Sequence, residues 1–303
     1  MKETFYSNGK LLITGEYLVL DGAKAFALPT KFGQNLTVEN GKNKEISWKS
    51  FDSDGTIWFD DVILFLDILN KTQFENQTVK NTLIEILHQA YILNPNYLEK
   101  SDGYVITTQL TFPRNWGLGT SSTLINNIAS WCRIDAFELL QKSFGGSGYD
   151  IACAQNNTPI TYQLINQKPI VKKVLFDINF KENIYFVYLN KKQNSRNAIE
   201  SYYKKKNNLD DVIPEINLIT DNILNAIDLQ NIEIQLHKHE NLISQIVEIP
   251  TIKETLFPDF NGTIKSLGAW GGDFIMIIST EKPQEYFQSK GYKIIFSYVD
   301  LIL

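Results

Sequence analysis

Short apolar runs separated by polar and turn-forming residues fill the first sixty positions of the chain. Residues 11–13, 17–20 and 35–38 are β-prone runs of three or four residues. Apolar and polar positions continue to alternate through 45–48 and 56–59, which is the spacing of half-buried strands. This pattern predicts a mostly antiparallel sheet at the start of the chain.

Apolar positions with helical spacing follow, and they alternate with further β-prone runs. The predicted helices are 79–93, 121–133, 136–142, 231–247, 282–290, one capped by Ser195 and one with Pro214 in its first turn. The predicted strands are 104–108, 160–164, 170–176, 183–189, 274–278 and 293–298. Strands followed by helices in each half favour an α+β fold, with domains 1–180 and 181–303 divided by the polar stretch near residue 180.

Composition narrows the function classes. The chain has 303 residues, 43% of them hydrophobic, and a net charge of −5, which argues against a nucleic-acid binder. No run approaches the roughly 20 apolar residues of a membrane span, and charged residues interrupt the apolar stretch near the start. We therefore expect a cytoplasmic protein. Cys132 and Cys153 are predicted to be buried free thiols, with a disulfide as the minority alternative.

The segment 113–122, Pro-Arg-Asn-Trp-Gly-Leu-Gly-Thr-Ser-Ser, is the main candidate for chemistry. Gly117 and Gly119 let the backbone curve closely around a ligand, and the helix predicted after them offers its N-terminal N–H groups to an anion. Gly119 is followed by Thr120, whereas a P-loop needs Lys there. Ser122 stands where a dinucleotide fingerprint needs a third glycine. The pattern predicts a phosphate loop of another kind.

Four segments in this order resemble the motifs of the GHMP kinase family. Residues 9–20 look like the family's first motif, GK…GEY, and residues 113–122 look like its phosphate loop, P-x-x-x-G-L-G-S/T-S. Gly148-Tyr149-Asp150 stands where the mevalonate and phosphomevalonate kinases carry S-G-x-D. Residues 268–272 resemble the C-terminal glycine-rich loop, with Trp270 in place of a glycine. The stretch 148–152 also resembles the GYDIA subgroup.

The resemblance implies a fold and an activity. It implies an N-terminal ATP-binding domain like ribosomal protein S5 domain 2, a C-terminal ferredoxin-like domain and an active site in the cleft between them. The implied reaction is transfer of the ATP γ-phosphoryl group, with Mg²⁺, to a mevalonate-type acceptor, as in mevalonate kinase. Tyr17, where many mevalonate kinases carry His, leaves phosphomevalonate kinase as the first alternative. A diphosphomevalonate decarboxylase and a silent ATP-binding paralogue are the others.

Roles for individual residues also come from the resemblance. Asp150 and Lys10 are the expected catalytic residues, and Ser121 and Glu138 the expected magnesium ligands. The expected nucleotide-binding residues are Pro113, Asn115, Gly117, Leu118, Gly119, Thr120, Ser121 and Ser122. The expected substrate-binding residues are Glu16, Tyr17, Gly148, Tyr149, Gly268 and Ala269. The expected partner is a small-molecule substrate, with no nucleic acid and no membrane, and a homodimer is left open.

Each of these residues also has a simpler structural interpretation. Ser121 and Ser122 could be helix caps, and Asp150 could be an N-cap. Lys10 could be a solvated charge and Glu138 a residue on an exposed helix face. The occurrence of all four motifs in family order favours the functional interpretation of the set.

Tryptophans and histidines are interpreted as structural. Trp116 and Trp270 are expected to pack in the core or in loops, with walls of a nucleotide site as the alternative. His237 and His239 fall two residues apart on a predicted helix, where side chains diverge, which argues against a metal site.

Overall fold

The computed structural model is an α+β fold with a seven-stranded and a four-stranded sheet, as predicted. It describes residues 2–70, 78–191, 199–200, 202–204, 209–268 and 270–303. The strands are β1 Lys2–Thr14, β2 Ala25–Asn40, β3 Glu45–Phe51, β4 Ile57–Leu64, β5 Tyr104–Leu110, β6 Ile160–Ile165, β7 Lys168–Lys173, β8 Ile184–Tyr188, β9 Thr263–Ser266, β10 Phe274–Ile278 and β11 Ile295–Ser297. The α-helices are α1 Phe65–Asn70, α2 Val79–Leu93, α3 Asn96–Glu99, α4 Thr120–Cys132, α5 Ala136–Ser143, α6 Tyr149–Ala154, α7 Val212–Leu224, α8 Leu229–Val247, α9 Ile252–Leu256, α10 Gln284–Ser289 and α11 Tyr298–Leu301.

The chain forms two compact units, each built from separate segments. Unit 1 consists of Met1–Gly9, Phe32–Arg114 and Leu118–Gln155. Unit 2 consists of Lys10–Lys31, Asn115–Gly117 and Asn156–Leu303. Strands β1 and β2 therefore begin in one unit and end in the other. The division of the sequence at residue 180 stays a prediction.

Unit 1 contains most of the large sheet and the helices that cover it. Strand β3 pairs antiparallel with β4 and parallel with β5, and β5 pairs antiparallel with the second half of β2. Alternate residues of β3 are buried, including Ile46 and Trp48, because successive side chains of a strand point to opposite faces. They share one core with α2, α4 and α5, which contribute the fully buried Leu87, Ile125 and Leu139.

Unit 2 is built around the four-stranded antiparallel sheet, in the order β11-β8-β10-β9. Every residue of β8 and of β10 is buried, so these central strands are continuous apolar runs rather than alternating ones. In the same unit the first residues of β2 pair with β6, and β6 pairs with β7.

The predicted elements agree with the structure in most places, and one is wrong. The helix 79–93 and the strand 274–278 have the predicted bounds, and Pro214 lies in the first turn of α7. Residues 17–20 are not a strand, because Leu18–Asp21 forms a 3₁₀ turn. Tyr17 at φ 62° and Gly22 at φ 92° bound that turn, and both conformations end an extended strand. The predicted cap at Ser195 lies outside the described residues.

Cys132 and Cys153 are buried thiols that form no disulfide, as predicted. Across the described stretches, no helix has the length and apolar character needed to cross a bilayer.

We expect Leu139→Ala to lower the free energy of unfolding by about 2–5 kcal/mol, because it leaves a cavity in the unit 1 core. Leu66→Ala on α1 is the matched control, since Leu66 is 64% exposed and its loss should cost less than about 0.5 kcal/mol. Urea denaturation of both variants measures this, and equal losses would contradict the assignment of the core.

Candidate active site

The N-terminus of α4 has no side-chain cap. Gly119 is the N-cap residue, at φ 99° and ψ 38°, and it has no side chain with which to accept from the first turn. The Ser122 hydroxyl donates backwards to the Gly119 carbonyl at 2.9 Å instead of accepting from an N–H group, and Thr123 Oγ1 lies 3.0 Å from the same carbonyl. Ser122 is therefore not a cap. The first-turn N–H groups of a helix lack intrahelical partners, so this end suits an anion.

Two further hydroxyls lie at this end of α4. Ser121 is exposed on the first turn. The Thr120 hydroxyl oxygen is shielded from solvent and has no hydrogen-bond partner among the described residues. Leaving a buried hydroxyl unpaired costs free energy, so an orphaned donor at this position fits a loop that completes its bonds with a ligand.

A buried polar network holds the start of α4 in place. Thr123 Oγ1 donates to Gln34 Oε1 at 2.8 Å, and Asn127 Nδ2 donates to the Gln34 carbonyl at 2.9 Å. Ser7 Oγ donates to Asn127 Oδ1 and accepts from Asn126 Nδ2, both at 2.8 Å. Sequence reasoning missed this network. Its signal was the pair Asn126-Asn127 within an otherwise apolar helix face.

Asp150 lies in the first turn of α6, in the same unit as Leu118–Ser122. Gly148, at φ 91°, is the N-cap residue of this helix, so Asp150 is not the cap. The Asp150 side chain is half-buried, and its Oδ1 accepts from the Ile151 N–H at 3.2 Å. Helix α6 packs against α4, and Gln155 Nε2 at its end donates to Asn126 Oδ1 at 2.9 Å. The helix bearing Asp150 is thus joined to the helix that begins at the loop.

Glu138 lies on the exposed face of α5. Its carboxylate is 3.7 Å from Lys142, one helical turn later, and its side chain is 52% exposed. Within the described residues there is no group of three or more His, Cys, Asp or Glu side chains that could hold a metal ion. The role of Glu138 as a magnesium ligand stays a prediction.

Lys10 contacts the first glycine of the loop. Its Nζ donates to the Gly117 carbonyl at 3.1 Å, and the two residues both belong to unit 2. Lys10 is only partly exposed and is therefore not a simple solvated charge.

The residues just before Gly117 rest on the four-stranded sheet of unit 2. The Tyr188 hydroxyl donates to the Asn115 carbonyl at 3.1 Å. The Trp116 ring packs against those of Tyr188, Phe274 and Phe296, with centroids 5.4–6.1 Å apart. Trp116 is buried in this aromatic cluster, which supports the packing interpretation.

Gly15 and Glu16 of the first motif belong to a buried cluster of titratable side chains in unit 2. Glu16 and Lys265 form an ion pair, and Glu240 Oε2 is 3.3 Å from the same ammonium. His239 Nε2 accepts from the Gly15 N–H at 2.9 Å and lies 3.3 Å from Glu16 Oε2. Each of these side chains is at most 3% exposed.

The charges of this cluster do not balance when both carboxylates are ionised. Burial raises the pKa of Glu16 to about 7, against the attraction of Lys265. Burial also disfavours the charged Lys265, but Glu16 and Glu240 outweigh it and raise the Lys265 pKa. Burial, and then the nearby Lys265, lower the pKa of His239 well below its usual value. Two carboxylates, one ammonium and a neutral imidazole leave one negative charge, which protonation of Glu16 removes.

Tyr17 and Trp270 link the first and third motifs. The Tyr17 hydroxyl accepts from the Trp270 N–H at 2.8 Å, and its ring stacks on Tyr202 with centroids 5.5 Å apart. The Trp270 indole N–H donates to the Pro250 carbonyl at 3.1 Å, and its ring is buried. Trp270 therefore packs into the core of unit 2. The third loop turns at Gly268, at φ 72°, and Ala269 lies outside the described residues.

The predicted substrate residues are in different environments. Glu16 and Tyr17 are at most 9% exposed, with Glu16 Oε1 bonded to Lys265 and the Tyr17 hydroxyl bonded to the Trp270 N–H. Gly148 is buried, whereas Tyr149 is partly exposed. A role in substrate binding stays a prediction for all of them.

Solved small-molecule kinases resemble this structure over almost its whole length. Mevalonate kinase of Methanococcus jannaschii is 16% identical, with a TM-score of 0.70 over 98% of this chain and 97% of that one. Phosphomevalonate kinase of Streptococcus pneumoniae, in complex with phosphomevalonate and AMPPNP, is 16% identical, with a TM-score of 0.69 over 99% and 98%. Galactokinase of Lactococcus lactis, complexed with galactose, is 12% identical, with a TM-score of 0.68 over 97% and 92%. No protein-family model and no curated protein matches the sequence.

The chain has the GHMP kinase fold. The likeness confirms the α+β class and the fold that the four motifs imply. At 12–16% identity it establishes the fold alone, so the activity must be argued from the residues.

We expect Glu16→Gln to remove a pH dependence of stability. The folded-state pKa of Glu16, about 7, exceeds its usual value of 4.5, so the protonated carboxyl group favours the folded state. Its contribution to the free energy of unfolding is fully present below about pH 4.5. That contribution is lost as pH rises through 7, and it amounts to about 3 kcal/mol. Gln mimics the protonated acid, so the variant's free energy of unfolding should fall less between about pH 5 and 8.

Denaturant titrations at several pH values measure this, with the exposed Glu182→Gln as the control. Equal pH slopes for wild type and Glu16→Gln would show that Glu16 does not take up the proton.

Proposed function

We propose that this protein is an ATP-dependent small-molecule kinase. The observation that carries the proposal is the uncapped start of α4 behind Gly117 and Gly119, with the orphaned Thr120 hydroxyl at its first position. Lys10 adds a positive charge at the Gly117 carbonyl. A curved loop, free N–H groups and a cation are what a polyphosphate requires.

The residues present fit a nucleotide. Leu118–Ser122 would hold its phosphates through backbone N–H groups and the Thr120 hydroxyl. The exposed Ser121 hydroxyl is a hard oxygen donor that suits Mg²⁺, an ion that usually keeps several waters and phosphate oxygens as ligands. Glu138 would add a carboxylate. When bound, ATP would supply the phosphoryl group, and Mg²⁺ would neutralise part of the charge of the phosphates.

Asp150 and Lys10 would act on the acceptor hydroxyl. Asp150 lies in the first turn of α6 and would orient that hydroxyl or accept its proton. Lys10 would favour the alkoxide character of the hydroxyl oxygen. The buried network beneath α4 would keep the loop fixed while charge moves between the reacting oxygens.

A mevalonate-type acceptor is the favoured substrate, as in mevalonate kinase. The first motif and Gly148-Tyr149-Asp150 support this branch, and two of the similar structures are a mevalonate kinase and a phosphomevalonate kinase. Tyr17 keeps phosphomevalonate as the first alternative acceptor. A coupled assay of ADP release with each compound tests the branch, and turnover of neither would refute it.

We expect Asp150→Asn to lower kcat by roughly 10²- to 10⁴-fold with little change in ATP affinity, because it removes the base and keeps the side-chain shape. Steady-state kinetics and calorimetric ATP titration measure the two quantities. Asp102→Asn, an exposed carboxylate of the same unit, is the control. An unchanged kcat would remove Asp150 from the mechanism.

The same assay separates the competing activities. Release of carbon dioxide from diphosphomevalonate would identify a decarboxylase. Binding of Mg²⁺–ATP without transfer to any acceptor would identify a silent nucleotide-binding protein.

We expect Thr120→Val to weaken ATP binding by roughly 10-fold or more, because a hydrogen bond to a charged phosphate is lost. The unliganded variant should be as stable as wild type or more so, since the hydroxyl it removes has no partner. Thr123→Val is the control, and it should lower the unliganded stability because its hydroxyl bonds Gln34. Calorimetry and thermal unfolding give both quantities, and unchanged ATP affinity would exclude Thr120 from the site.

A further inference from the structure

A nearly buried carboxylate that the mechanism above does not use lies against the phosphate loop. Asp273, 8% exposed, stands between the third glycine-rich loop and β10. A Cβ added to Gly117 would meet its Cγ and Oδ2 at 2.3 Å. The Asp273 carboxyl group therefore occupies the space beside the Gly117 α-carbon.

The backbone of Asp273 is fixed by the second sheet. Its N–H donates to the Lys191 carbonyl at 2.7 Å, and its carbonyl accepts from the Leu189 N–H at 2.8 Å. Its φ of 54° is in the left-handed region, which Asp and Asn tolerate better than other residues with a Cβ. The carboxylate is thus held beside Gly117 by a residue whose N–H and carbonyl are both hydrogen-bonded.

An ionised carboxylate at an anion-binding loop is unfavourable without a nearby cation. Lys10 is a cation at this point, because its Nζ donates to the Gly117 carbonyl at 3.1 Å. The third titratable group at this point is Tyr188 of β8. Burial and then Asp273 raise the pKa of Tyr188, so it stays a neutral phenol.

We propose that Asp273 is a positioning residue for Lys10, holding the ammonium group charged and directed at the phosphate loop. The inference rests on the proposed kinase function, because it gives Asp273 a role in the reaction that Lys10 assists. In this role Asp273 acts through Lys10.

The direct test is the titration of the Lys10 ammonium in protein labelled with [ε-¹³C]lysine, with the signal assigned by Lys10→Arg. Asp273→Asn keeps a residue that accepts the left-handed conformation while removing the charge. A carboxylate beside an ammonium typically raises the pKa of the ammonium by one unit or more, so we expect Lys10 to titrate at least roughly one pH unit lower in this variant. Asp259→Asn, an exposed carboxylate bonded to Lys290 and Tyr286, is the control.

Kinetics provide the second readout. In Asp273→Asn the alkaline limb of the kcat–pH profile should move to lower pH by the same amount as the Lys10 titration. In Asp273→Glu, which keeps the charge, the limb should lie close to its wild-type position. An unchanged Lys10 titration in Asp273→Asn would overturn the proposal. A changed Mg²⁺ requirement with an unchanged Lys10 titration would also overturn it, because Asp273 would then act on the metal.

The two readouts separate the inference from the function on which it rests. If the Lys10 titration moves but no acceptor is phosphorylated, the pairing of Lys10 with Asp273 stands and the kinase proposal fails. If wild type is an active kinase and the Lys10 titration does not move, the kinase proposal stands and the role of Asp273 fails.

Discussion

A helix N-terminus that binds an anion must leave its first N–H groups uncapped and must also be held in one position. The start of α4 meets both requirements. A side-chain cap would fix the first turn but would occupy the N–H groups that a phosphate needs. In this chain Gly119 leaves the first turn uncapped, and the fixing contacts lie further along the helix, where Thr123 and Asn127 bond Gln34. A buried side-chain amide costs free energy unless its hydrogen bonds are formed. Since the bonds of this network form only when α4 is in its observed position, the network also favours that position.

Unit 2 applies a similar constraint to the first half of the loop by different means. Asn115–Gly117 is held by an aromatic cluster, a tyrosine hydroxyl and Lys10 rather than by a polar network. The glycine at position 117 is required there for two reasons. Its φ of 71° suits a residue without a side chain, and the Asp273 carboxyl group leaves no room for a Cβ.

Sequence reasoning found the elements whose signals are local. The helix 79–93 was predicted with its observed bounds because the apolar spacing that indicates it lies within the segment itself. The 3₁₀ turn after Tyr17 was missed, because an apolar run indicates burial and does not distinguish a strand from a turn that buries side chains such as Leu18 and Val19. The fold was predicted from the order of the four motifs along the chain.

The parts of the candidate site that could not be predicted are those made by distant residues. The sequence around Glu16 does not predict its contacts with Lys265 and His239, which are over two hundred residues away. Asp273 could not be predicted either, because it contacts Gly117 in space while the two residues are far apart in the sequence. The local chemistry of the loop and the importance of Lys10 could be predicted, but Asp273 and the buried charges around Glu16 could not.

The bond between the Tyr17 hydroxyl and the Trp270 amide has a consequence for which substitutions these two positions tolerate. Its donor is a main-chain N–H, which every residue except proline would keep at position 270. Its acceptor is a side-chain hydroxyl, so phenylalanine at position 17 would keep the ring and lose the bond. The bond therefore restricts the residue at position 17 more than the residue at position 270, where the buried packing of the indole and its bond to the Pro250 carbonyl select the side chain.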